Sequence, residues 1–292
     1  MKTPFLIPIM LALFFMGCNP SKQNLLPETQ SGAGLALDAW ALARSYPDGH
    51  IYSRNFTLAH QQLQAEAQFR SETTEWESLG PKNIGGRTLC LAFHPTDTNT
   101  VYAGSASGGL WKTITAGIGV NAWERIPLGH PALSISSIAI NHAHPDTMYL
   151  GTGEVYNYTA AQPGIADRLT RGTYGIGILK TTDGGLTWEK SLDWSLSEMT
   201  GVWKIAVHPD NTKILYAATT EGLYKSTNGG ESWENIHPVP MAMDFEISPL
   251  DPNIIFVSHG SYESPEAGVY RSLDGGVNFE PVNGLPADYT GK

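Results

Sequence analysis

A short unit recurs three times in the second half of the chain and constrains the fold more than any other feature. Its copies occupy residues 179–188, 223–233 and 269–279. Each copy contains Ser or Thr, then Asp or Asn two positions later, two glycines and an aromatic residue. The Asp or Asn positions are spaced by 45 and 46 residues. Repeats of this period are typical of propeller blades or solenoid coils, in which each unit packs on its neighbours.

Each unit also contains two further strand-like segments, which gives it four strands in all. An apolar segment leads to a His-Pro or Ser-Pro turn, and a second apolar segment follows that turn. The first segments begin near Leu89, Ile138, Ile205 and Phe245, and the second near Val101, Met148, Ile214 and Ile254. The 31 glycines and 19 prolines fit many short strands joined by turns better than a helical bundle. Four strands per unit predict a propeller blade.

The earliest unit keeps this frame but has a degenerate turn. Residues 110–113 match residues 223–226, yet Thr115 stands where the later units have Asp or Asn, and three extra residues precede Trp123. The sequence therefore predicts about four blades, three of them with a near-complete motif.

The repeated motif, Ser/Thr-x-Asp/Asn-x-Gly-x-Thr/Ser/Asn-aromatic, resembles the Asp-box, also called the BNR repeat. This repeat occurs in sialidase-like, sortilin (VPS10)-type and xyloglucan-hydrolase-type propellers. The resemblance extends over residues 76–292 and implies an all-β fold, a β-propeller with Asp-box repeats. It also implies that ligands bind near the central axis, on the face opposite the Asp-box turns.

Six residues of the motif are interpreted as structural. They are Asp183, Asn228, Asp274, Trp188, Trp233 and Phe279. An Asp or Asn that opens a turn accepts backbone N–H bonds, and the glycines that follow supply positive φ angles. The aromatic ring is expected to be buried between adjacent sheets. Because the motif recurs once per blade, whereas a site is needed once, we do not assign these carboxylates to catalysis.

The propeller is expected to be incomplete. Four units are visible, whereas propellers of the families it resembles have six or more blades, and an open arc leaves sheet edges exposed. Residues 76–80 resemble an outer strand without its three inner strands, and the chain stops at residue 292, where a fifth blade would begin. We interpret the chain as a piece of a longer protein.

The N-terminus predicts export. Residues 1–17 combine a positive start with an apolar run over 5–16, too short for a membrane span, and Gly17 precedes Cys18. This pattern resembles a bacterial lipoprotein signal, which implies lipid attachment at Cys18 and a membrane-anchored protein of the outer membrane or cell surface. An ordinary secretory signal with an incidental cysteine is the alternative. Residues 18–34 are then a flexible tether, and residues 35–75 a helical N-terminal segment.

Several function classes are excluded by composition. The formal net charge is −10, which argues against nucleic acid as a partner. The second cysteine, Cys90, lies in an apolar segment and is interpreted as a core thiol, so no cysteine-based metal or redox site is expected. His94, His144 and His208 recur at equivalent blade turns, which argues against a zinc site. We predict no metal and no cofactor.

Candidate ligand contacts lie in the connections of the face opposite the Asp-box turns. The longest connection spans residues 153–175, and connections of that length tend to be functional or disordered. Its aromatic residues and charges of both signs suit a polar ligand such as a sugar or a peptide. The candidates are Arg87, Glu154, Tyr156, Tyr158, Arg168, Arg171, Glu221, Tyr262 and Glu263.

Two principal functions are predicted. The first is a binding or scaffold module for a carbohydrate or protein ligand, because no matched catalytic position is found. Residues 125–127 match the Arg-Ile-Pro letters of sialidases but fall in an outer strand, and residues 104–109 lack the carboxylate that xyloglucan-hydrolase-type families carry there. The alternative is a glycoside hydrolase of the sialidase-like or xyloglucan-hydrolase-like kind, with Glu154 and Asp167 as catalytic candidates. A third class, an assembly factor for a membrane complex, is permitted by the fold alone.

Overall fold

The computed structural model describes residues 52–67, 86–162, 165–260 and 264–284, together with isolated positions between 35 and 49. For Ser53 and residues 159–162 and 165–167 it describes the backbone alone. The predicted signal peptide, Cys18 and the predicted strand at 76–80 lie outside the described residues. The chain divides into two compact units, Met1–Ile51 and Tyr52–Lys292. In the first unit, the described positions from Leu35 to Ser45 are helical.

The described residues of the second unit form one helix, α1 (Ser53–Ala67), and four four-stranded antiparallel sheets. Blade 1 consists of β1 (Thr88–Phe93), β2 (Val101–Ser105), β3 (Leu110–Thr113) and β4 (Glu124–Ile126). Blade 2 consists of β5 (Ile135–Ile140), β6 (Met148–Thr152), β9 (Gly177–Thr181) and β10 (Glu189–Asp193). A separate hairpin, β7 (Val155–Gln162) and β8 (Ile165–Thr170), is inserted between β6 and β9.

Blades 3 and 4 repeat the same strand order without an inserted hairpin. Blade 3 consists of β11 (Val202–Val207), β12 (Leu215–Thr219), β13 (Gly222–Ser226) and β14 (Glu234–His237). Blade 4 consists of β15 (Ala242–Ile247), β16 (Ile255–His259), β17 (Gly268–Ser272) and β18 (Glu280–Pro281). The predicted all-β class and incomplete propeller are therefore confirmed. No helix among the described residues is long and apolar enough to cross a membrane.

Three apolar cores lie between successive blades. The core between blades 1 and 2 contains Leu110, Ile135 and Leu150, and the core between blades 2 and 3 contains Val202 and Leu215. The core between blades 3 and 4 contains Phe245, Ile255 and Val257. All five residues of β6, and all five of β12, are buried. A second strand of a blade is flanked by strands on both sides and covered by neighbouring blades on both faces, so it carries apolar or small residues throughout.

The segment between the third and fourth strands of a blade, here called the Asp turn, is closed by side chains. In blade 2, Asp183 Oδ1 accepts bonds from Thr181 Oγ1 at 2.6 Å and from the Thr187 backbone N–H at 2.9 Å. Thr181 Oγ1 accepts a bond from Gly185 N–H at 3.1 Å. These donors lower the pKa of the exposed Asp183 carboxyl, the Thr181 hydroxyl contributing most. The turn uses its carboxylate for internal hydrogen bonds.

The amide in blade 3 makes the same contacts without a charge. Asn228 Oδ1 accepts bonds from Ser226 Oγ at 2.9 Å and from Ser232 N–H at 3.0 Å. In blade 4, Asp274 Oδ1 accepts a bond from Ser272 Oγ at 2.8 Å. Because Asn serves as well as Asp, hydrogen-bond acceptance rather than charge is what the position requires.

The Asp turns of blades 3 and 4 also join neighbouring blades. Tyr149 of blade 2 donates from Oη to the Gly229 carbonyl of blade 3 at 2.8 Å, and Tyr216 of blade 3 donates to the Gly275 carbonyl of blade 4 at 2.9 Å. Gly230 has a φ of 80°, and a Cβ added there would lie 2.8 Å from the Tyr149 ring. The second glycine is therefore required both for the turn and for the approach of the preceding blade.

The degenerate turn of blade 1 keeps part of this arrangement. Thr113 Oγ1 accepts a bond from Gly117 N–H at 3.1 Å, as Thr181 does from Gly185 in blade 2. Thr115 occupies the Asp position and bonds the Ile118 carbonyl at 2.9 Å. Trp123, at the end of the longer turn, is 38% exposed, whereas the equivalent Trp188 is 8% exposed.

Candidate functional site

The two faces of the propeller carry different connections. Each Asp turn bonds to the first hairpin turn of its own blade, through Gly184 N–H to Asp146 O at 3.0 Å in blade 2 and Gly229 N–H to Lys213 O at 2.8 Å in blade 3. We call this side the Asp-turn face. The connections between second and third strands, and those between blades, lie on the opposite side, here called the hairpin face.

The hairpin β7–β8 is the largest feature of the hairpin face. We predicted an irregular connection over residues 153–175, but most of it forms two antiparallel strands in which Tyr158 pairs with Arg168 and Asn157 with Leu169. The prediction rested on length, because this segment has no counterpart in the other blades and does not alternate clearly between apolar and polar residues. The added strands hold residues 154–171 in a defined arrangement.

An arginine–glutamate pair fixes the base of the hairpin to blade 1. Both guanidinium Nη atoms of Arg87 bond the Glu154 carboxylate, Nη2 to Oε2 at 2.7 Å, and Nη2 also bonds the Arg171 carbonyl at 3.3 Å. The hydrogen bond to Glu154 raises the pKa of Arg87. The carboxylate is only 14% exposed. A bidentate ion pair of this kind fixes the relative orientation of the two side chains as well as their distance.

Close backbone packing accompanies this first pair. A Cβ added to Gly172 would lie 2.6 Å from the Ala106 carbonyl oxygen of blade 1 and 3.0 Å from Glu154 Oε2. The absence of a side chain at Gly172 therefore lets the second strand of the hairpin approach blade 1.

A second pair fixes the hairpin to blade 3. Arg168 Nη1 bonds Glu221 Oε1, and the Arg168 side chain is 15% exposed. Asn235 Nδ2 donates to the Glu221 carbonyl at 2.9 Å, and Tyr174 Oη donates to the Arg168 carbonyl at 2.6 Å. The hairpin is thus attached to the blades on both sides of its own.

An aromatic residue and a cation form a mixed surface beside the first pair. The Arg171 guanidinium carbon lies 4.4 Å from the centroid of the Tyr156 ring. Arg171 is exposed and Tyr156 is partly exposed. A ring beside several N–H donors offers both the apolar contact and the hydrogen bonds that sugar-binding surfaces use.

Six of the predicted ligand contacts come together at the base of the hairpin. They are Arg87, Glu154, Tyr156, Arg168, Arg171 and Glu221. Tyr158 lies on β7, across from Arg168. Tyr262 and Glu263 lie outside the described residues, as does the side chain of Asp167, whose backbone pairs with Thr159.

Two contacts on this face were not predicted. Arg54 of α1 pairs with Glu198, in the connection between blades 2 and 3, at 3.8 Å. His237 of blade 3 bonds His259 of blade 4, Nδ1 to Nε2, at 2.9 Å. In neither pair does the spacing in the sequence identify one residue as the partner of the other.

The described side chains of the site are better suited to binding a ligand than to catalysis by a pair of carboxyl groups. Glycosidases of the usual kind need two carboxyl groups facing one bond, one of which donates a proton. Glu154 and Glu221 each accept bonds from an arginine. Arg125 and Ile126 lie in the outer strand β4. Among the described residues, no three His, Cys, Asp or Glu side chains are grouped to hold a metal ion.

Comparisons with known proteins identify carbohydrate-active relatives. No family model matches the chain. Xyloglucanase Xgh74A of Acetivibrio thermocellus is 24% identical over 250 residues, which is 73% of this chain and 27% of the relative. A xyloglucanase of Hypocrea jecorina is 24% identical over 253 residues, 73% of this chain and 28% of the relative. The chain therefore spans about a quarter of the length of the curated relatives it matches.

Solved structures support the fold. An ancestral GH74 enzyme superposes with a TM-score of 0.54 at 19% identity, over 73% of this chain and 26% of that one. The GH74 xyloglucanase of Xanthomonas campestris superposes with a TM-score of 0.50 at 19% identity, over 69% of this chain and 31% of that one. The described blades thus share the β-propeller fold of these enzymes.

Proposed function

We propose that this chain is part of a glycoside hydrolase-like propeller that binds xyloglucan or a related polysaccharide on its hairpin face. The observation that carries the proposal is the similarity to xyloglucanases over about three quarters of the chain. The hairpin face adds a mixed aromatic and cationic surface, held by two ion pairs, at a position where a polysaccharide can lie across several blades.

Within this proposal, the residues at the base of the hairpin divide into two roles. Tyr156 and Arg171 contact the sugar, because both are at least partly exposed and neither belongs to the two ion pairs that hold the hairpin. Glu154 and Glu221 are positioning residues, because each is occupied by an arginine that fixes the hairpin. Hydrolysis then depends on carboxyl groups other than these two.

Binding is tested with xyloglucan oligosaccharides by titration calorimetry. We expect Tyr156→Ala to weaken binding by about fivefold, since loss of a stacking aromatic costs on the order of 1 kcal/mol. The matched control is Leu186→Ala, an 83% exposed side chain on the Asp-turn face, which should bind like the parent. Binding that is unchanged by Tyr156→Ala, or no binding by the parent, would contradict the proposal.

Hydrolysis is tested by release of reducing ends from the same polysaccharide. If Glu154 positions the hairpin, Glu154→Gln should raise KM and leave kcat within a few-fold, because binding alone is affected. A loss of kcat by a factor of about a thousand would make Glu154 catalytic instead. Binding without any hydrolysis would favour a carbohydrate-binding module, the first function predicted from the sequence.

We also assign the repeats to the Asp-box class of propeller. The assignment is supported by the three turns in which Asp183, Asn228 and Asp274 accept bonds from the hydroxyl two residues earlier and from the backbone N–H four residues later. The motif and its recurrence once per blade match the Asp-box pattern.

We further propose that the protein is exported and anchored in a bacterial cell envelope by lipid on Cys18. The support is the charged start, the apolar run and the Gly17-Cys18 pair. Mass spectrometry of the N-terminal peptide should find a diacylglyceryl group on Cys18, and Cys18→Ser should release the protein from the membrane fraction. An unmodified cysteine in a protein secreted as soluble would contradict it.

A further inference from the structure

Two histidines meet between blades 3 and 4. His237 ends β14 and His259 ends β16, and His237 Nδ1 lies 2.9 Å from His259 Nε2. The ring centroids are 4.7 Å apart, and His259 is fully buried. In the neutral pair, one ring donates the shared hydrogen and the other accepts it.

The surroundings of this pair disfavour positive charge. The rings of Tyr270 and Phe279 lie 4.7 Å and 4.6 Å from the His237 ring. Burial lowers the pKa of His237, and burial together with the neighbouring His237 ring lowers the pKa of His259 to about 4. Glu266 opposes this by raising the pKa of His237. The described titratable groups around the pair are thus Glu266 and Tyr270.

The other blades carry a hydroxyl residue where blade 4 has His259. Ser105, Thr152 and Thr219 end the second strands of blades 1 to 3, as His259 does in blade 4. Each of these hydroxyls donates to a carbonyl at the start of the next strand, at 3.2, 2.6 and 2.7 Å. In blade 4 the titratable imidazole ring of His259 takes the place of this hydroxyl, whose hydrogen bond to a carbonyl does not depend on pH.

The segments beside the pair are held in strained conformations. Met241, in the connection that follows β14, has a φ of 59°, and Glu266, in the connection between β16 and β17, has a φ of 55°. Gly260 N–H bonds the Met241 carbonyl at 2.9 Å. Left-handed φ angles at residues other than glycine persist where surrounding contacts enforce them, and His259 lies between these two positions along the chain.

We propose that the His237–His259 pair is an acid-sensitive latch that holds Gly260, at the end of β16, against the connection between blades 3 and 4. When both rings carry two hydrogens, neither of the facing nitrogens can accept, and two positive charges lie in contact. The pair must then separate, which frees Gly260 from the Met241 carbonyl. This inference rests on the described junction and does not depend on the proposed carbohydrate ligand.

The direction of the pH effect follows from proton linkage. In the closed junction the histidines bind protons more weakly than exposed histidines, whose pKa is 6.5. The open junction therefore takes up protons preferentially as the pH falls below 6.5, and acid shifts the equilibrium toward opening. The effect grows down to about pH 4, the folded-state pKa of His259.

Hydrogen exchange detected by mass spectrometry tests the latch at pH 7.5 and pH 5.0, after correction for intrinsic exchange rates. We expect peptides covering Gly260 and residues 264–268 to exchange about tenfold faster at pH 5.0. The amides of Gly153 and Thr220 are internal controls, because they make the bond equivalent to that of Gly260 in blades 2 and 3. Equal acceleration at all three positions, or none at Gly260, would overturn the proposal.

Two variants identify the responsible rings. His259→Thr restores the hydroxyl found in the other blades, and His237→Phe keeps a ring in the aromatic cluster without a titratable proton. Either should abolish the acid-dependent exchange at Gly260. His144→Gln, at an exposed turn on the other face, should leave it unchanged. Acid-dependent opening that persists in His259→Thr assigns the effect to other groups and refutes the latch, even if His237→Phe fails to fold.

Discussion

On the Asp-turn face the same hydrogen bonds recur from blade to blade, whereas on the hairpin face the ion pairs and the histidine pair each occur once. The Asp turns of blades 2 to 4 share one set of donors and acceptors. The described part of the hairpin face has three Arg–Glu pairs and one inserted hairpin. Repeated contacts maintain the fold, and unique contacts mark the part of the surface available for function.

The largest loss of stability is expected at Gly230, where the Asp turn of blade 3 contacts blade 2. Gly230→Ala places a Cβ 2.8 Å from the Tyr149 ring and from Ser191 Oγ. The combined overpacking and positive-φ strain should cost about 3 kcal/mol of unfolding free energy, measured by urea denaturation.

A matched glycine separates the two causes. Gly129 also has a positive φ, 67°, but a Cβ there would contact nothing within 4 Å. Gly129→Ala should therefore cost about 1 kcal/mol from backbone strain alone. Equal losses in the two variants would show that the contact between blades adds nothing to the requirement for glycine.

The histidine pair of the hairpin face should make the stability of the protein depend on pH. Because His259 is neutral in the folded state and has a pKa of about 4 there, unfolding takes up a proton between pH 6.5 and pH 4. Stability should fall as the pH falls, by up to about 1.4 kcal/mol per pH unit. Urea denaturation at pH 7 and pH 5 measures the slope, and His259→Thr should reduce it. A slope that this variant does not change would contradict the assignment.

Within the Asp turn, the hydroxyl should matter more than the charge. Thr181→Val removes the acceptor of the Gly185 N–H bond in a buried position, which should cost about 1 to 2 kcal/mol. Asp183→Asn should leave the urea midpoint nearly unchanged, because Asn228 already serves in blade 3. A large loss in Asp183→Asn would mean that the charge is required after all.

The smallest global effect is expected at the hairpin. Glu221→Gln removes the charge opposite Arg168 and should change the global unfolding free energy by less than about 1 kcal/mol. Limited proteolysis should nevertheless cut faster within β7–β8, because one of its two attachments is weakened. Asp193→Asn, which breaks the pair with Lys190 on β10, should leave cleavage of the hairpin unchanged.

The sequence predicted the blades well because their pattern repeats. The turn residues Asp183, Asn228 and Asp274 could be placed from spacing alone. The glycine pairs that follow them are explained by the positive φ angles of the turns. The inserted hairpin could not be recognised, because a segment that occurs once offers no second copy for comparison.

Pairing between distant residues was beyond the reach of the sequence. Arg87 and Glu154 were proposed as separate ligand contacts, but they are 67 positions apart and bond each other. His237 and His259 belong to different blades and meet only when the blades pack. Residue type predicts what a side chain can bind, and packing decides which partner is near enough.

The bonds from Tyr149 to Gly229 and from Tyr216 to Gly275 run in the same direction along the chain, from one blade to the following blade. Blade 3 both accepts a bond from blade 2 and donates one to blade 4, so a duplicate of blade 3 inserted beside it would carry both halves of the linkage without further change. Gene duplication can therefore lengthen such an array one unit at a time. Blade 4 has Phe256 at the donor position, and there this particular linkage has no hydroxyl with which to continue.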